Sequence, residues 1–350
     1  MNDKSVSDSA GAGNAGRGAA IFGCAGLTLT ADERTFFRDY DPFGFILFAR
    51  NVDTPDQIRR LTAELREAVG RDAPITIDQE GGRVQRLRAP HWREWTPPLP
   101  AIQAAGAAAE RMMYLRMRIL AQELVEVGLD ANCAPLCDIA QDDTHPFLRN
   151  RCYGTTPDSV ARIARAVAQA HLDAGVLPII KHIPGHGRAL ADSHLLLPRV
   201  DVPRDELLAW DFAPFRALAD MPMAMTAHIV FSAYDRDAPA TQSPAVIGAI
   251  RDDIGFDGLL MTDDVNMESL AGSLTERTAR SMAAGCDVAL HCNGHLDEMR
   301  EVATAAGDMG ADALARARAT LAARKPPVVP VDIAALEAEL SGLTAQALHV

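Results

Sequence analysis

The chain has 350 residues, 48% of them hydrophobic, which is enough for a large core. Its net charge is 34 − 47 = −13, so no basic surplus exists to neutralise phosphates, and neither nucleic acid nor an anionic membrane surface is expected as a partner. No run of about 18 apolar residues suggests a membrane span.

Residues 1–18, rich in Gly, Ala, Ser, Asn and Asp, read as a disordered tail. No apolar segment of signal-peptide length precedes the faintly lipoprotein-like stretch ending at Cys24, so a cytoplasmic protein is expected. From there, short apolar runs alternate with helical stretches. Ile21-Phe22-Gly23 reads as a first strand. Thr30 with Glu33 forms a capping box that starts a helix. Gly44–Phe48 is a second strand, and Thr54 caps a helix to about residue 69 with Ile58, Leu61, Leu65 and Val69 on one stripe. Pro74–Ile77 is the third strand, ending at Asp78. The Ala-, Met- and Leu-rich residues 99–127 read as one long helix, and Leu129–Leu136 as strand four.

A helix over 157–174 leads to strand five, which ends at Lys181. A helix over 204–219 leads to strand six, Met223–Thr226, delivering His228. Ser243-Pro244 opens another helix. Strand seven, Gly258–Thr262, ends at Asp263. A helix over 274–285 precedes strand eight, Val288–Leu290, and helices near 309–323 and 331–347 finish the chain. Eight strand–helix units without an internal linker predict a single-domain α/β (β/α)₈ barrel over residues 19–350, with the last helices packed outside it. The doubly wound alternative lacks its glycine-rich phosphate turn after strand one. The six cysteines (24, 133, 137, 152, 286 and 292) read as small buried hydrophobes.

In such a barrel the residues after each strand converge on one face. Here they are Asp78, Gln79, Glu80, Arg83 and Arg86; Asp138, Arg149 and Arg151; Lys181, His182, His186, Asp192 and His194; His228; and Asp263 and Asp264. The stretch 181–194, KHIPGHGRALADSH, is the densest. Pro184, Gly185 and Gly187 make it a loop. Asp192 and His194 share a face of an extended segment, which suits an acid/base pair. Alternation sends Asp263 and Asp264 to opposite sides, so one is expected to be functional and the other structural. A metal site from His182, His186, Asp192 and His194 stays open at this point. A sugar-binding barrel without chemistry is disfavoured by the intact acid, base and carboxylate set.

The segments KHIPGHG (181–187) with DSH (192–194), IDQEGGRVQR (77–86), NRCYG (150–154), MTAHI (225–229) and MTDDVNM (261–267) resemble those of the bacterial β-N-acetylglucosaminidases of glycoside hydrolase family 3, in the expected order from about residue 20 to 295. Departures are Ile183, where the family often has Phe, and Cys152-Tyr153, where it often has Ser-Phe. The resemblance implies a retaining exo-β-N-acetylglucosaminidase without metal or cofactor. It makes Asp263 the nucleophile, His194 the general acid/base and Asp192 its partner. Asp78, Arg86, Arg151, Lys181 and His182 would bind the N-acetylglucosamine. Asp264 stands where the family's β-glucosidases carry Trp, and the DSH loop stands in for the glutamate acid of their second domain. The implied substrates are muropeptides with 1,6-anhydro-N-acetylmuramic acid, handled by a monomer in cell-wall recycling. An imidazole acid/base also leaves phosphate open as an acceptor in place of water, which would make the enzyme a phosphorylase.

Overall fold

The computed structural model describes residues 13–190, 196–325 and 331–347. Eight strands close into a parallel barrel: β1 (Gly18–Gly23), β2 (Pro42–Leu47), β3 (Ile75–Ile77), β4 (Ala131–Asn132), β5 (Leu177–Ile183), β6 (Met223–Thr226), β7 (Leu259–Asp264) and β8 (Val288–His291). Neighbours in sequence are neighbours in the sheet, and β8 returns to β1 through pairs such as Ile21 with Leu290. This is the expected α/β barrel.

Strand alternation divides the apolar residues into two cores. Ile21, Phe43, Ile46, Ala131, Cys133, Leu177, Ile179, Met223, Met225, Leu259, Met261, Val288 and Leu290 fill the barrel interior. Their alternates, such as Phe22, Phe45, Ile75, Ile180, Leu260 and Ala289, pack outward against the helices. Ala317 and Leu321 of the helix Ala311–Ala323 join the interior set, so this helix closes one end of the barrel from outside. The helix Ile333–Ala347 lies against the helix Ala109–Glu126.

Several helices begin where side-chain capping predicts. Thr30 and Glu33 form their capping box, Thr54 accepts from Gln57 N, and Ser243 accepts from Val246 N. Four elements differ from expectation. The helix expected over 99–127 is two, Pro98–Ala105 and Ala109–Glu126, separated at Gly106, whose φ of 53° lies outside helical space. Strand four is short because Pro135 has no N–H for the ladder; pairing resumes only as a bridge between Leu136 and Lys181. The helix expected over 204–219 breaks into Arg204–Ala209 and Ala213–Ala217. A helix at Leu296–Ala306, with Met299, Val302 and Ala303 buried, was not anticipated. Among the described residues no helix is long and apolar enough to cross a membrane.

Candidate active site

A cavity of about 240 Å³ opens at the carboxyl ends of the strands. Its lining includes Asp78, Arg83, Arg86, Arg151, Lys181, His182, His186 and Asp263, from four strand-to-helix connections or strand ends. Ile46, Met225 and Leu290, at the top of the interior core, form its floor.

The periodicity of the strands decides which polar groups arrive there. On β7, Leu259 and Met261 point inward, so Asp263 follows them into the cavity. Asp264 turns the other way. Its Oδ1 accepts from the N–H of Asn266 and, at 3.3 Å, of Cys292, and its own N–H donates to Asp263 Oδ1 at 2.8 Å. Burial raises the Asp264 carboxyl to about 6, with the Asp263 charge adding to the rise against those N–H groups. Of the adjacent pair, one thus faces the cavity and the other braces the strand end. On β5, Leu177 and Ile179 point inward and Lys181 continues the series. The register against β6 shifts between Lys181 and Ile183, and His182 reaches the cavity as well.

Three carboxylates, one partly buried and two fully buried, hold this wall of donors. Asp78 takes Lys181 Nζ at 3.0 Å on one oxygen and Arg86 Nη2 at 2.9 Å on the other. Glu80, fully buried, accepts both Nε and Nη2 of Arg151 at 2.9 and 2.8 Å and lies 2.6 Å from Lys181 Nζ. Asp138, also fully buried, lies 2.7 Å from His182 Nδ1. Burial alone would drive all three carboxyls towards neutrality. Lys181 and Arg86 at Asp78, Arg151 and Lys181 at Glu80, and His182 at Asp138 overcome it, so each carboxyl is held below its ordinary range. Burial likewise opposes the charges of Lys181 and Arg151. Asp78 and Glu80 at Lys181, and Glu80 at Arg151, reverse the balance and hold both cations charged. His186 is pushed down to about 4 by burial and by its neighbour His182.

The loop after β3 is locked by Gln79, whose Oε1 accepts the N–H groups of Arg86 and Leu87 while Nε2 donates to Leu87 O. This returns Arg86 to the cavity, where its guanidinium also stands 5.4 Å over the Phe48 ring. Of the sequence-derived set, the structure therefore gathers Asp78, Arg86, Arg151, Lys181, His182 and Asp263. Asp192 and His194 lie outside the described residues. His228 sits behind the site, fully buried, with Nδ1 2.8 Å from Thr241 Oγ1 and Nε2 3.0 Å from the Asp264 carbonyl. Arg149 bonds to the Gln141 carbonyl and pairs with Asp142, and does not line the cavity.

Sequence reasoning placed Glu80 and Asp138 near the site but gave them no role. Their partners are 71, 101 and 44 positions away, and only the closed barrel brings them together. Arg83, Phe147 and Cys292 also line the cavity; Cys292 is the one cysteine that is not fully buried. The six cysteines are all free.

Residues 24–321 match the family model described as the glycosyl hydrolase family 3 N terminal domain. A curated β-hexosaminidase from Alkalilimnicola ehrlichii is 36% identical over 286 residues, covering 79% of this chain and 81% of its own. One from Neisseria meningitidis is 36% identical over 299 residues, covering 81% of both chains. Among solved structures, NagZ from Neisseria gonorrhoeae in complex with N-trifluoroacetyl-D-glucosamine superposes with a TM-score of 0.81 at 32% identity, over 94% of this chain and 98% of that one. A family 3 β-N-acetylglucosaminidase from Paenibacillus gives 0.82 at 29% identity, over 93% and 67%.

Proposed function

Because the chain belongs to glycoside hydrolase family 3 and is a glycoside hydrolase of the β-hexosaminidase type, we propose that it is a retaining exo-β-N-acetylglucosaminidase of muropeptide recycling, acting as a cytoplasmic monomer. The observation that carries the mechanistic part is the place of Asp263. It continues the inward series Leu259, Met261 and opens into the same cavity as Asp78, Lys181 and His182.

In this reading Asp263 attacks the anomeric carbon as the aglycone oxygen departs, giving a covalent glycosyl-enzyme. His194 donates the proton to that oxygen. The neutral imidazole then takes a proton from water, which attacks the same carbon and regenerates Asp263. Asp192 steadies the imidazole through both steps. Most retaining glycosidases use two carboxylates about 5–5.5 Å apart. An imidazole replaces one of them here, and a group titrating near neutrality suits a role that alternates between acid and base.

The sugar itself is held by Asp78, Arg86, Arg151, Lys181 and His182. Their pairing supports this role: Asp78 and Glu80 fix the cations before any ligand arrives, so donors and acceptors are preorganised for hydroxyl and amide groups. The relative that binds N-trifluoroacetyl-D-glucosamine supports an N-acylated sugar in this cavity. Muropeptides as the aglycone rest on the family resemblance. No metal or other cofactor takes part in this scheme.

An aryl β-N-acetylglucosaminide should be turned over far faster than the matching β-glucoside, and Asp263→Asn should abolish turnover. Retained activity in Asp263→Asn, or a slow fluorinated sugar that labels another residue, defeats the assignment. Full activity in chelator removes a metal-dependent reaction. Product analysis with and without phosphate separates hydrolysis from phosphorolysis.

A further inference from the structure

Asp138 is used by no step above, yet it is fully buried beside the cavity and three donors meet it. It comes just after the Leu136–Lys181 bridge that continues β4, where Cys137 N donates to Lys181 O at 2.7 Å and ties this segment to β5. Oδ2 of Asp138 lies 2.7 Å from His182 Nδ1. Oδ1 accepts two backbone N–H groups, that of His182 at 3.2 Å and that of His186 at 2.7 Å.

An ionised carboxylate can only accept, so each group that meets it must donate. Burial opposes the charge of Asp138, but His182 and the N–H groups hold it ionised. His182 Nδ1 therefore carries the hydrogen, and in the neutral ring Nε2 is left as the acceptor it offers to the cavity. The other oxygen works on the backbone. With the Gly185 N to His182 O bond at 2.7 Å, it fixes the corner at which β5 becomes a loop. The next residues lie on the same segment. Thr144 Oγ1 donates to Gly187 O at 2.6 Å, and Gly187 packs so closely on Ile139 that a Cβ there would stand 2.0 Å from the Ile139 carbonyl oxygen. Residues 138–144 are thus the bed on which 182–189 rest.

We infer that Asp138 is a positioning residue for the reaction, setting the His182 tautomer with one oxygen and anchoring the strand-to-loop corner with the other, so that the sugar hydroxyl meeting His182 must act as donor. The inference rests on the reading of the cavity as a sugar site.

Asp138→Asn separates the two roles. Its amide oxygen can keep the two backbone N–H bonds, which turns the NH₂ towards Nδ1 and forces the imidazole hydrogen onto Nε2. Nitrogen NMR of ¹⁵N-histidine-labelled protein at alkaline pH reads the tautomer directly, with His182 assigned by difference against His182→Gln. Wild type should show Nδ1–H and a bare Nε2, and Asp138→Asn the reverse. On an aryl N-acetylglucosaminide, kcat/KM of Asp138→Asn should fall by on the order of a hundredfold, mainly through KM, as loss of a ligand-orienting partner does elsewhere. Asp138→Ala, which loses the backbone anchor too, should lose at least a further tenfold, now in kcat.

An Nε2–H tautomer in wild type overturns the inference without any variant. So does an unchanged tautomer in Asp138→Asn, or a kcat/KM within twofold of wild type. Wild-type protein that hydrolyses no N-acetylglucosaminide would instead refute the proposed function, while the nitrogen spectrum would still decide the role of Asp138.

Discussion

Glu80→Gln is the substitution on which the electrostatic account of the cavity can be judged. Glu80 is fully buried, holds Arg151 through two parallel bonds and touches Lys181 at 2.6 Å. The glutamine keeps the shape but removes the charge, and its NH₂ must face a guanidinium or an ammonium that can only donate. Lys181 retains Asp78, but Arg151 loses its only ion-pair partner among the described residues. Removing one member of a buried pair costs about 3–5 kcal/mol. With an unfolding entropy of about 2.1 cal/mol/K per residue, a 350-residue chain carries about 0.7 kcal/mol/K, so Tm should fall by about 4–7 °C at pH 7.

The pH dependence gives a second, independent reading of the same substitution. The folded Glu80 carboxyl is held below its ordinary value of 4.5, so its contribution to stability is present above that value and is lost as pH falls through and below it. The gap in Tm between wild type and Glu80→Gln should therefore close on acidification below about pH 4.5. Thermal scans of both proteins from pH 7 down to pH 3.5 measure it. Equal Tm values at pH 7, or a gap that stays constant on acidification, would refute the reasoning.

The remaining predictions concern neighbouring groups. The Asp264 carboxyl is raised from 3.8 to about 6 by burial, so the native state loses stability as pH rises through that window. Asp264→Asn, which cannot titrate, should gain on wild type between about pH 4 and 6, by on the order of 2 kcal/mol, measured as a difference in Tm; a difference that does not vary with pH counts against it. Arg151→Lys replaces a two-bond fork with a point charge, so kcat/KM should fall about tenfold, mainly through KM; unchanged KM would remove Arg151 from sugar binding. Gly187→Ala pushes a methyl against the Ile139 carbonyl and should cost about 1–3 kcal/mol together with activity. A variant as stable and active as wild type would show that the loop has slack there.

What the sequence reveals and what it conceals follow from the range of the interactions. The barrel is legible because each apolar run and each cap is local: Thr30 with Glu33, Thr54 with Gln57, and the inward Leu259, Met261 and Asp263 can be read within a few residues. The cavity-lining set was legible because strand ends converge in this fold, and because several short segments together resemble one family. The helix at Leu296–Ala306 was readable too, from acids in its first turn and apolar residues at Met299, Val302 and Ala303. The break at Gly106 was harder, since a single glycine inside a helical pattern is often tolerated. Glu80 and Asp138 were visible as residues but not as hubs, because the partners they hold come from other parts of the barrel.

The pairing of the cavity's cations has a consequence for the conditions under which the protein works. Lys181, Arg86 and Arg151 are all paired with Asp78 or Glu80, so on the proposed sugar-site reading they would act on an uncharged sugar through directional bonds. Ionic strength acts chiefly on exposed charges separated by more than a Debye length, about 8 Å at physiological salt, and far less on buried contacts such as these. The grip on the sugar should therefore hold steady as the surrounding medium becomes more or less saline.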